Sequence, residues 1–154
     1  MGECKANLKA WYTAERAFFY EKERYSTSVA EIGFRPERGN RYLYLDDVRV
    51  AFTDRSTEKD VGTPRDTGFQ PDLYKFGPDV GIPIRDLPSR LAGGVPLGMK
   101  GKCPDCEITA LCMGQLDKDP TYDLWSISTE KRIAPDGAEI PEGQPYLEIN
   151  DVQD

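Results

Sequence analysis

The most regular pattern of apolar and polar positions lies at the start of the chain. Cys4, Trp11, Phe18 and Tyr25 recur every seven residues with Leu8 and Ala14 beside them, which predicts one packing stripe along a helix over about residues 4–25. Residues 5–24 contain no Gly and no Pro and are mostly good helix formers. Lys5, Lys9, Glu15, Arg16, Glu21, Lys22, Glu23 and Arg24 fall between the stripe positions and read as a solvated face of mixed charge. The residues before the stripe, Met1-Gly2-Glu3, supply no Ser, Thr, Asp or Asn cap. The helix therefore reads as the lower part of a longer one, with Met1-Gly2 as an added start.

After this helix the pattern changes period. Ser26-Thr27-Ser28 breaks it, and Val29, Ile32 and Phe34 around Gly33 form a short apolar return against the helix. Residues 41–45 and then Val48, Val50 and Phe52 alternate as half-buried strands do, predicting one bent strand or a hairpin about Asp46-Asp47. Residues 54–102 are polar and broken by six prolines, so they read as extended surface loops pinned by short apolar pieces at residues 73–76 and 82–91. Strand character returns at residues 107–113 and 122–128, predicted as antiparallel neighbours joined through residues 114–121, and again at residues 146–149 beyond a Pro- and Gly-rich loop. The fold class is α+β: one long N-terminal helix packed on an antiparallel β-sheet with extended loops, within a single domain spanning residues 1–154.

Composition narrows the chemistry. With 27 acidic against 20 basic residues the chain carries a net charge of −7, which disfavours nucleic acid as a partner. There is no histidine, which removes the commonest general base and the Ser-His and Cys-His nucleophile pairs. No apolar run approaches the roughly 20 residues that cross a bilayer. No catalytic residue is singled out.

Four cysteines stand at Cys4, Cys103, Cys106 and Cys112. The C-x-x-C at Cys103-Pro104-Asp105-Cys106 fits a redox dithiol, half a zinc site or a structural disulfide. It lies between a glycine-rich loop and a strand rather than opening a helix, and zinc would have to recruit Cys112 and distant Cys4, so the disulfide is favoured, with an oxidising compartment implied. Cys4 and Cys112 are then either paired or free buried thiols. Asp117, Asp119 and Asp123 have a spacing that wraps a hard cation, making them a weak Ca²⁺ candidate without the glycine and terminal glutamate of an EF-hand. The run from Gly93 to Lys100 misses the phosphate-loop pattern, because the lysine does not directly follow Gly98 and no Ser or Thr follows it.

Several segments resemble type IV pilins, especially those of deltaproteobacteria. Glu3-Cys4-Lys5-Ala6-Asn7-Leu8-Lys9-Ala10 with Phe18-Phe19-Tyr20-Glu21-Lys22-Glu23-Arg24-Tyr25 is similar to the second half of the long pilin helix. Glu31-Ile32-Gly33-Phe34-Arg35-Pro36-Glu37-Arg38-Gly39-Asn40-Arg41-Tyr42 is similar to the helix exit and first strand, the most specific match. Cys103-Pro104-Asp105-Cys106, Gly114-Gln115-Leu116-Asp117 and Asp123-Leu124-Trp125-Ser126-Ile127 resemble the C-terminal sheet, while residues 54–102 do not align. The resemblance implies a major pilin: a structural subunit of an extracellular type IV pilus serving adhesion and surface motility. It also implies helix-mediated contacts with other pilin subunits, pilus assembly machinery as partner, and membrane anchoring only through an apolar first half of the helix that this sequence lacks. Alternatives are a minor pilin, a pseudopilin of type II secretion, an extracellular Ca²⁺- or ligand-binding module, and a thiol oxidoreductase using Cys103 and Cys106.

Overall fold

The computed structural model describes residues 2–78, 87–114 and 122–149. Helix α1 runs from Gly2 to Lys22. It starts earlier than the stripe predicts, and it stops three residues short because Glu23 adopts a left-handed backbone with φ 56°. That reversal swings Tyr25 back onto the helix, its ring 4.6 Å from that of Phe19 and its hydroxyl accepting from Arg16 Nη1 at 2.7 Å. Tyr25 thus reaches the core from the turn rather than from the helix.

The apolar return is a one-turn helix, α2 (Val29–Ile32), capped by the Ser28 hydroxyl and ended by left-handed Gly33. The chain then passes the N-terminal end of α1 and enters β1 (Leu43–Leu45). The Glu3 side chain fixes this passage, accepting from the backbone N–H groups of Arg41 at 2.8 Å and Tyr42 at 3.2 Å.

The remaining strands are β2 (Phe52–Thr53), β3 (Gly68–Phe69), β4 (Arg90–Leu91), β5 (Val95–Pro96), β6 (Gly98–Lys102), β7 (Asp105–Gly114), β8 (Asp123–Ser128), β9 (Arg132–Ile133), β10 (Glu139–Ile140) and β11 (Tyr146–Ile149), with helix α3 (Leu73–Phe76) between β3 and β4. The main sheet has the order β11-β8-β7-β1-β3-β2. β7 is its axis: Thr109 pairs with Ser128 of β8 on one edge and with Gly98 of β6 on the other, and β1 continues along the β6 edge with Tyr44 opposite Cys112.

The antiparallel pairing of the two late strands occurs as the alternation predicts, with Cys112 opposite Trp125. The hairpin about Asp46-Asp47 does not: β1 and β2 are separated by β3, and β2 runs parallel to β3, so the sheet is mixed. Local alternation cannot reveal a strand inserted from later in the chain. The loop-like region also contributes β3, α3, the β4–β5 hairpin and all of β6.

Both faces of the sheet are covered. Leu8, Trp11 and Phe18 of α1 pack with Tyr42, Tyr44, Ile108, Ala110, Trp125 and Ile127 on one face. Leu43, Leu45, Leu111, Met113 and Leu124 point the other way and are covered by Leu91, Val95 and Leu97. A strand covered twice has no solvated side, which is why β1 and β8 are buried along their whole length. No helix among the described residues is long and apolar enough to cross a membrane.

Candidate functional site

The arrangement that organises the molecule is the seat of α1 on the sheet. Its buried residues are Cys4, Leu8, Trp11, Glu15 and Phe18, spaced four, three, four and three residues apart. Ala14, taken from the sequence as part of the stripe, is only half-buried at the side, and its place is filled by Glu15. Glu15 therefore does not belong to the solvated face, although its neighbours in sequence do.

A disulfide joins Cys4 in the first turn of α1 to Cys112 in β7, and a second joins Cys103 to Cys106 at the tip of the β6–β7 hairpin. Paired in this way, the four sulfurs are not the thiolates that a zinc site needs. Further up the helix, Trp11 Nε1 donates to Asp46 Oδ2 at 3.1 Å, joining α1 to the residue that follows β1. The backbone N–H of Ser26 donates to Glu15 Oε1 at 3.0 Å. Burial drives the Glu15 carboxyl up to about 8, against the Ser26 bond and with help from the Glu31 charge. Burial also drives Asp46 well above the ordinary carboxylate range, assisted by Glu15.

The outward face of α1 is not uniformly charged. Ala6, Ala10, Thr13 and Ala17 are exposed and follow one another at four-, three- and four-residue spacing, opposite the buried stripe. The charged residues flank this line. Lys5 sits over the Trp125 ring at 4.9 Å and Arg24 over the Phe18 ring at 4.9 Å, so their stems cover the core from the sides.

Of the Ca²⁺ candidates, Asp117 and Asp119 lie outside the described residues. Asp123, at the start of β8, is buried and accepts from the Tyr42 hydroxyl at 3.2 Å. Among the described residues no group of three Cys, Asp or Glu side chains is placed to hold a metal. The run from Gly93 to Lys100 turns the β4–β5 hairpin and enters β6, with Gly93 and Gly94 at φ 86° and 72°, rather than opening a helix as a phosphate loop does.

Sequence reasoning also missed an arginine cluster that secures residues 36–40. Arg55, fully buried, donates to Pro36 O at 2.6 Å, Glu37 O at 3.3 Å, Asn40 Oδ1 at 2.8 Å and Asp60 Oδ2 at 3.1 Å. Arg38 grips Asp72 through two bonds of 2.8 and 3.1 Å. The signal available in the sequence was only the density of Arg and Asp between residues 35 and 72.

A long N-terminal helix packed on a largely antiparallel β-sheet is consistent with the α+β fold of type IV pilins. The family described as "Type IV pilin PilA" matches residues 1–123, and the chain belongs to it. The type IV major pilin protein PilA of Myxococcus xanthus (strain DK1622) is 36% identical over 169 residues, a match covering 97% of this chain and 76% of that protein.

Proposed function

We propose that this chain, as a single globular domain, is the outer part of a major pilin, a structural subunit polymerised into an extracellular type IV pilus that serves adhesion and surface motility. The observation that carries this reading is the two-sidedness of α1. Its inner stripe is consumed by its own sheet, whereas its outer line of Ala6, Ala10, Thr13 and Ala17 stays exposed and has no side chain longer than threonine. Small residues let a second helix approach closely, and repeated head-to-tail contacts of one kind generate an open helical filament. Two disulfides suit a protein displayed in an oxidising environment. Cytoplasmic assembly machinery and anchoring through an apolar helical extension complete the reading.

The test is composition and contact together. Filaments sheared from cells carrying the native gene are expected to consist almost wholly of this protein by mass, and Ala10→Trp is expected to abolish them while leaving the thermal melt of the isolated domain within a few degrees. Filaments containing only traces of the protein would identify a minor pilin or pseudopilin instead. Unchanged assembly of Ala10→Trp would remove the helix face as the contact.

A further inference from the structure

Glu15 and Asp46 are 0% and 1% exposed, in the middle of the α1–sheet seat. Each carboxyl has one oxygen occupied, by Ser26 N and Trp11 Nε1, while Glu15 Oε2 and Asp46 Oδ1 have no partner among the described residues. The charged groups facing them do not neutralise them. From α2 comes Glu31, another acid, already paired with Arg24. From the loop after β1 come Asp47 and Arg49, the latter 3.9 Å from Asp47 and half-exposed. The cavity beside Asp46, lined also by Leu8, Trp11 and Thr67, measures about 10 Å³, enough for about one water. Ionised carboxylates here would be unpaired, mutually repelling and without room for a hydration shell.

We propose that Glu15 and Asp46 form a proton-operated latch: while both are protonated, the C-terminal half of α1 lies on the sheet, and loss of their protons releases it while the Cys4–Cys112 disulfide holds the first turn in place. The direction follows from the raised affinity of the folded site for protons. Between the ordinary glutamic value of 4.5 and about 8, seated Glu15 keeps a proton that the released form gives up. Release therefore becomes up to about tenfold more favourable per pH unit for this group, roughly 400-fold from pH 5 to 8, and Asp46 steepens the dependence. The seat is tightest in mild acid and loosens as pH rises, exposing Trp11, Phe18 and Tyr25.

Hydrogen exchange between pH 5 and 9, corrected for intrinsic amide chemistry, reads this directly. The expected result is that opening of the amides of residues 15–22 rises about tenfold or more per pH unit up to about pH 8, that the amides of residues 5–8 stay protected, and that Glu15→Gln with Asp46→Asn, which mimics the protonated pair, is flat across the range. A flat wild-type profile, or a slope that survives in the double variant, overturns the latch. Carbon-13 NMR of the Glu15 carboxyl in the wild-type chain needs no variant: titration near 8 supports the proposal, and titration in the ordinary carboxylate range overturns it.

Discussion

Cys4 and Cys112 are bonded to one another with their Cα atoms 6.1 Å apart and a sequence separation of 108. The bond joins the first turn of α1 to the strand on which the whole sheet is hung. In the chain-entropy account, closing a loop of this size removes about 5 kcal/mol of freedom from the unfolded chain, against about 2 kcal/mol for the four-residue loop closed by Cys103 and Cys106. Guanidinium unfolding is expected to show Cys4→Ala with Cys112→Ala destabilised by several kcal/mol, and Cys103→Ala with Cys106→Ala by about 2 kcal/mol or less. Equal losses for the two pairs would contradict this ranking.

Asp72 contributes to the acid side of the stability profile. The Arg38 guanidinium, followed by the N–H groups of Gly39 and Lys75, holds its carboxyl down to about 2 from an ordinary 3.8. A lowered carboxyl contributes stability above its unfolded value and loses it as pH falls through the folded one, so about 2 kcal/mol should disappear between pH 4 and pH 2. Thermal melts across that range are expected to flatten in Asp72→Asn, which starts lower at neutral pH.

Arg55 is expected to be costly to remove. Its guanidinium is 0% exposed, stacks over Phe69 at 4.6 Å and satisfies the carbonyls of residues 36 and 37. Arg55→Met leaves those groups and one side of Asp60 buried without donors, at an expected loss of about 3–5 kcal/mol by chemical denaturation. Arg55→Lys should recover only a part, because an ammonium cannot fan out to several acceptors in one plane.

Gly114, at the end of β7, lies flat against the Tyr42 ring, and a Cβ there would come within 2.5 Å of it. Since Tyr42 is buried and donates to Asp123, the ring has nowhere to retreat. Gly114→Ala is expected to cost about 1–3 kcal/mol through overpacking, and pairing it with Tyr42→Leu should cost less than the sum of the two changes.

Legibility followed the range of the interaction. α1 and the β7–β8 pair were readable because their periods are written into consecutive residues and the strands are neighbours in sequence. Alternation alone joins β1 and β2 into one unit, because β3, which separates them, enters from more than a dozen residues further on. β6 escaped notice because Gly98-Met99-Lys100-Gly101-Lys102 has weak strand propensity and is held in place by the ladder with β7. Glu15 was the sharpest miss at the site: within a helix full of glutamates and lysines, nothing local distinguishes the one that faces inward without a cation.

By itself the sequence determined the α+β class, the helix and its buried stripe, the late antiparallel strands and the likeness to type IV pilins, all of which rest on short-range periodicity or contiguous motifs. Only the tertiary structure decided that Cys4 meets Cys112, that Arg55 secures residues 36–40, and that Glu15 and Asp46 are both buried in the seat of α1. The reason is physical: period and propensity act over a few residues along the chain, whereas burial, charge state and sulfur pairing depend on which distant segment closes over each side chain.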